Sequence, residues 1–162
     1  MIAVLKWRWP FIFACSLILF SCTSGDYCTE PIQTFMNAGF YVSDGSVLQD
    51  TSLNNGILMR LDKPSSFWSL RNSTSFSIPL QTLADSSGFI LQPDSSNQTQ
   101  RDTLVIRYER KLHYISRACG YQYYFDIQSL NYTKHLLDSI VLKKPAVTNE
   151  AGNEHLQLLF KP

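Results

Sequence analysis

From residue 35 onward the chain is a succession of short apolar runs separated by turn residues. Within the runs, apolar and polar positions alternate with the period of two expected of a half-buried strand. Phe76, Ile78 and Leu80 share one face of Ser75–Leu80. Pro79 lies on the other face and predicts an edge position, because proline cannot donate to a ladder. Leu104, Ile106 and Tyr108 alternate with Val105, Arg107 and Glu109. Tyr121, Tyr123, Phe125 and Ile127 alternate with Gln122, Tyr124, Asp126 and Gln128, which predicts core positions for Tyr121, Tyr123 and Phe125. Gly39–Val42 ends at Asp44-Gly45, a hairpin dipeptide. Asn54-Asn55-Gly56 precedes Ile57–Leu61, and Ser86-Ser87-Gly88 precedes Phe89–Leu91. Ile140 with Leu142, and Leu156, Leu158 and Phe160, supply the last two runs. Residues 93–100 are polar throughout and read as a loop. No stretch has a helical period, although a short helical turn is expected near His135–Leu137. The pattern predicts an all-β domain over residues 35–162: an antiparallel β-sandwich, immunoglobulin-like, of about seven or eight strands.

The first 21 residues follow a different rule. Lys6 and Arg8 precede an apolar stretch, Phe11–Phe20, of ten residues. That is half of the roughly 20 residues a bilayer-spanning helix needs, and it suits a secretory signal. The sequence Leu19-Phe20-Ser21-Cys22 resembles the bacterial lipobox, with a branched apolar residue three before the cysteine and a small residue directly before it. Phe20 is bulkier than usual there. The resemblance implies cleavage before Cys22, a diacylglyceryl group on its thiol and an acylated amino terminus. The alternatives are an ordinary signal with a coincidental cysteine, or an uncut anchor. Residues 1–21 are then a signal and 22–34 a lipidated tether. Thr23 follows the cysteine where an acid often marks inner-membrane retention, which favours the outer membrane.

The chain has four cysteines. Cys15 leaves with the signal and Cys22 carries lipid. Cys28 and Cys119 remain, and in an oxidising compartment such a pair persists as a disulfide. It would close a loop of about 92 residues, for which chain entropy gives at most about 4–5 kcal/mol. Free thiols or a catalytic cysteine are the alternatives. After residue 21 there are twelve basic and thirteen acidic residues, with no basic stripe, so nucleic-acid binding has no electrostatic support.

Four short motifs in order carry a family resemblance: Gly39-Phe40-Tyr41, Ser77-Ile78-Pro79-Leu80, Asp102-Thr103-Leu104 leading into Ile115-Ser116-Arg117-Ala118-Cys119-Gly120-Tyr121, and Asp138-Ser139-Ile140-Val141. Together they resemble a family of small uncharacterised lipoproteins of the Bacteroidota, a domain of unknown function. The resemblance implies an envelope location and no assigned chemistry. Asp-Thr-Leu and Asp-Ser-Ile also resemble the periplasmic O-glycosylation acceptor of that phylum, with Thr103 and Ser139 as acceptors; strand-forming residues give the same tripeptides by chance.

His113, His135 and His155 are scattered, without metal-ligand spacing. No Gly-x-Ser-x-Gly elbow accompanies the abundant serines, and Glu150, Glu154 and His155 read as a solvated turn. The expectation is therefore a non-enzyme without cofactor or metal. Its partners would be the membrane, through the anchor, and an outer-membrane protein. The competing expectation is a glycan-binding module. Tyr124 falls on the face opposite the alternating aromatics and, with Trp68 or Tyr132, would form an exposed aromatic platform.

Overall fold

The computed structural model describes residues 27–31, 33–44 and 47–162. Cys22 and the signal segment lie outside them. Among the described residues there are eleven strands and no helix: β1 (Phe35–Asp44), β2 (Val47–Asp50), β3 (Gly56–Arg60), β4 (Phe67–Leu70), β5 (Ser75–Pro79), β6 (Ser86–Gln92), β7 (Asp102–Ser116), β8 (Gly120–Tyr132), β9 (Leu137–Leu142), β10 (Ala146–Val147) and β11 (Leu156–Phe160). They form two facing sheets, a β-sandwich. The immunoglobulin-like expectation holds at that level, but the strand count is higher. The three extra strands gave no alternation to read. β2 is exposed at every residue, β4 opens on an exposed Phe67, and β10 is two residues long.

One sheet is organised on β1. β11 pairs along one side of it, and β9 lies beyond β11. On the other side, β5 pairs with the first half of β1 and β2 with the second. The β1–β11 pair, Ala38–Val42 against Leu156–Phe160, is parallel, whereas the other strand pairs among the described residues are antiparallel. β5 pairs with β1 alone, so Pro79 does sit on an edge strand. β11 lies between two partners, and all five of its residues are buried. The second sheet runs β10-β8-β7-β6-β3-β4.

The core lies between the sheets. Met36, Phe40, Ile78, Leu156 and Leu158 come from the first, and Leu58, Phe89, Leu91, Leu104 and Ile106 from the second. Phe40 packs on Phe76 with ring centroids 5.4 Å apart, and Tyr108 meets Phe125 edge-on at 5.1 Å. The Tyr108 hydroxyl donates to the Gln81 carbonyl at 3.0 Å and lies 2.7 Å from Ser87 Oγ. Ser87 Oγ accepts the Gln81 amide at 3.0 Å. This closed set of hydrogen bonds lets two buried hydroxyls stay in an apolar layer. Gly39 reflects close packing, because a Cβ there would strike the Glu154 carboxylate and the Tyr41 ring, which are themselves joined by a 2.7 Å hydrogen bond.

Two buried ionisable groups hold the connections into the first sheet. The Asp102 carboxylate, 1 % exposed, accepts from the Thr133 hydroxyl at 2.6 Å and from the amides of His135, Leu136 and Leu137 at 2.8, 2.8 and 2.9 Å. The expected helical turn at His135–Leu137 is instead a bend whose three inward amides are capped by this side chain. Burial pushes the Asp102 carboxyl up, but these hydrogen bonds outweigh it and hold the group below its ordinary value. At His155, Nδ1 accepts the Asn37 amide at 3.0 Å, so the proton of the neutral ring is on Nε2, which has no partner at hydrogen-bond geometry. Burial pushes this imidazole down against the opposing backbone groups of Asn37 and Ala146, and nearby Lys144 adds to the shift.

Both shifts have the same sign for stability. A folded-state pKa below the unfolded one means that the unfolded chain binds more protons, so stability falls on acidification. His155 removes stability as pH drops below about 6.5, and Asp102 below about 4. Thermal melts between pH 8 and pH 3 should therefore show two falling segments. Asp102→Asn should shrink the lower one, to which Asp62 and Asp94 also contribute, while leaving the upper one intact. A flat profile across the upper window would refute the His155 assignment.

Candidate functional site: a disulfide-pinned hairpin arm

β7 and β8 are the longest strands, and they outrun their sheet. β6 pairs with β7 only from Asp102 to Arg107, and β10 covers β8 only at Phe125 and Asp126. Beyond these points the two strands continue as a ribbon. Lys111–Tyr114 faces Tyr121–Tyr124, and Ser116 pairs with Gly120 around the turn. The six residues Lys111–Ser116 at about 3.3 Å each give an arm of roughly 20 Å. The turn is Arg117-Ala118-Cys119, closed by Gly120 at a φ of 72°. A three-residue hairpin needs such a left-handed residue, which glycine adopts without strain. The Ser116 hydroxyl accepts the Cys119 amide at 3.1 Å.

Cys119, at the tip, is bonded to Cys28, with Cα atoms 4.7 Å apart. From there the chain runs back along the arm. The Thr34 hydroxyl donates to the Tyr123 carbonyl at 3.0 Å before β1 begins. Gln122 is buried on the arm, and neither polar atom of its side chain has a partner among the described residues. It lines a cavity of about 60 Å³ with Gln33, Thr34 and Phe125, a polar site large enough for water. The disulfide thus pins the segment after Cys22 to the far end of an arm, not to the sandwich body.

The arm has two unlike faces. On one, His113 stacks on Tyr124 at 4.5 Å, the Tyr124 hydroxyl donates to Asn149 at 2.7 Å, and Lys111 pairs with Asp126 at 3.0 Å. Burial and the charges of Glu30 and Glu150 push the Tyr124 phenol up. The other face continues the core side of β7 and β8. It carries Leu112 opposite Tyr123, and Tyr114 opposite Tyr121 with rings 5.2 Å apart. Tyr123 packs against the core, but Leu112, Tyr114 and Tyr121 are 60 %, 53 % and 67 % exposed. Tyr121 is therefore not a core residue. Its alternation is genuine, but the opposite sheet does not reach it. Where the arm leaves the sandwich, an open groove of about 500 Å³ is lined by Asp85, Tyr108, Glu109, Arg110, Tyr123 and Gln128. Arg110 bridges Asp85 at 2.8 Å across it.

The expected platform of Trp68, Tyr124 and Tyr132 does not assemble. Trp68 on β4 packs against Phe89, and Tyr132 at the end of β8 packs on the core. Tyr124 alone lies on the arm, on the outward face. Thr103 is half-buried in β7, its amide held by Thr133, and Ser139 is half-buried on β9. Tyr114 escaped notice in the sequence, where the alternation read on this strand ends at Glu109. The signal was present: two alternating runs of similar length flank a short polar segment ending in glycine. Among the described residues no cluster of His, Cys, Asp or Glu is placed to hold a metal ion.

A family model described as a family of unknown function (DUF6452) matches residues 49–160. The chain belongs to this family. The match spans β3 to β11, including the whole arm and Cys119; Cys28 precedes it. No curated protein and no solved structure matches the chain.

The arm gives the disulfide of this DUF6452 member a local task. Removing it with Cys28→Ala and Cys119→Ala should leave the sandwich folded and free the arm. Because the freed arm regains entropy in the native state, the loss should be about 2 kcal/mol, below the full chain-entropy value. Hydrogen exchange should accelerate at residues 111–124 and not in β6 or β11; uniform acceleration would contradict this.

Proposed function

We propose that this chain is a lipid-anchored protein of the cell envelope, held at the outer membrane by acyl groups on Cys22, whose sandwich is a non-catalytic module that contacts another envelope protein. The lipobox-like Leu19–Cys22 supports the anchor. The finer placement, among small lipoproteins of the Bacteroidota, belongs to the same reading. The observation that carries it is the disulfide beside that anchor. Cys28 lies six positions after Cys22 and is bonded to Cys119, so lipid on Cys22 would hold a folded domain close to one membrane. Such a domain meets partners embedded in or lying on that membrane before soluble ones.

Mass spectrometry of the purified protein should find the N-terminal peptide starting at residue 22 with its lipid mass. An unmodified Cys22 overturns the anchor. Photocrosslinkers at Val47 and Phe67, two exposed apolar positions on the sandwich body, should recover the same outer-membrane protein from intact cells. Recovery of lipid alone would overturn the interaction module. The groove at the base of the arm favours a second reading, a glycan-binding module. Its two tyrosine rings, two carboxylates and amide suit a sugar. Binding on a glycan array that is lost in Glu109→Gln supports that reading, and an array without hits removes it.

A further inference from the structure

We propose that the exposed face of the arm, Leu112, Tyr114 and Tyr121, lies in the headgroup layer of the same membrane that holds the Cys22 lipid. The proposal rests on the lipid-anchor reading of Cys22. It begins from a side of a sheet that has no opposing sheet. Leu112, Tyr114 and Tyr121 continue the row of Ile106, Tyr108 and Phe125, which is buried where the sandwich covers it. Arg110 interrupts the row at the edge of the sandwich, where it pairs with Asp85; beyond it the row is apolar again, and Tyr27, next to the disulfide, is 84 % exposed.

The disulfide places this face near the bilayer. Six peptide steps separate Cys22 from Cys28, at most about 20 Å when fully extended. Cys28 and Cys119 are 4.7 Å apart at Cα, and Tyr121 is two residues further, about 7 Å. The lipid on Cys22 sits in a polar layer that is itself roughly 5–7 Å deep on each side of the hydrocarbon. Of all the described parts of the domain, the arm tip has the shortest covalent path to that layer.

The chemistry suits that layer. Tyrosine is enriched at membrane–water interfaces, where the ring meets acyl chains and the hydroxyl stays wet. Arg117, exposed at the turn, presents a guanidinium of the geometry that binds phosphate. The nearest acids do not oppose it as a block: Asp126 is paired with Lys111, and Glu30 lies on the Tyr124 side. Area argues against a protein occupant. At ~200 Å² per side chain, the three residues expose roughly 350 Å², less than half of the roughly 800 Å² that each partner of a stable protein interface contributes. An arm already held by lipid needs far less.

Trp68 is the one tryptophan after residue 21, which gives a direct test. The mature lipid-bearing protein carrying Trp68→Phe and Tyr121→Trp is reconstituted into vesicles of phosphatidylethanolamine and phosphatidylglycerol, with bromine on the acyl chains near the headgroups. Emission from the indole at position 121 should fall about two-fold against unbrominated vesicles, and Trp68 in the parent protein should not change. Tyr114→Trp, at the facing position, should repeat the result if the first variant folds poorly. Flotation with the vesicles reports the anchor separately. Protein that floats but shows no quenching at either position overturns the arm proposal and leaves the anchor standing. Protein that neither floats nor is quenched overturns both.

Discussion

A two-stranded ribbon that leaves its sheet has only its own cross-strand bonds to hold it, and in water such a hairpin is marginal. The Cys28–Cys119 bond is the constraint that answers this. It ties the turn at the ribbon's tip to Cys28 and draws the chain preceding β1 along the arm as a third segment. Gln122 is buried between them as a result. The partial pairing of β6 and β10 with β7 and β8 follows the same division: strands cover the ribbon where the opposite sheet provides a core, and stop where it does not.

The body of the sandwich depends on its ends. β1 and β11 open and close the domain and lie side by side in the middle of one sheet. Their pairing joins residues more than a hundred positions apart, so loop-closure entropy must be overcome before the sheet forms. Loss of β11 would take with it the partner of both β1 and β9 and five buried side chains. His155 Nδ1 accepts the Asn37 amide across the same seam, which pairs that backbone donor where water is excluded.

The two halves of the molecule thus present different surfaces for different reasons. On the sandwich, exposed apolar residues such as Val47 and Phe67 sit on the outer strands β2 and β4, and scattered exposure of this kind is ordinary. On the arm, exposure continues a core row and is contiguous, which is the kind of apolar surface that marks a contact site. Family membership in DUF6452 covers the arm and one of the two cysteines, so the arm belongs to the part of the chain that the family shares.

Alternation with a period of two determined by itself that the domain is all-β and where eight of its strands run, because most of those strands bury one face and wet the other; β11, buried at every residue, is the exception. Counting cysteines determined which two were left to pair. Tertiary structure alone decided what the pair joins. Tyr121 and Phe125 are equivalent in the alternation, yet one is exposed and the other buried, since burial depends on whether a second sheet stands opposite. β2 carries no periodic signal because it is exposed at every residue, and β10 carries none because two residues are too few to show a period, although its Val147 is fully buried. Asp102 read as the start of an acceptor tripeptide, but its carboxylate caps a bend more than thirty residues away. Such a partnership leaves no local mark, since the amides it satisfies belong to every residue alike.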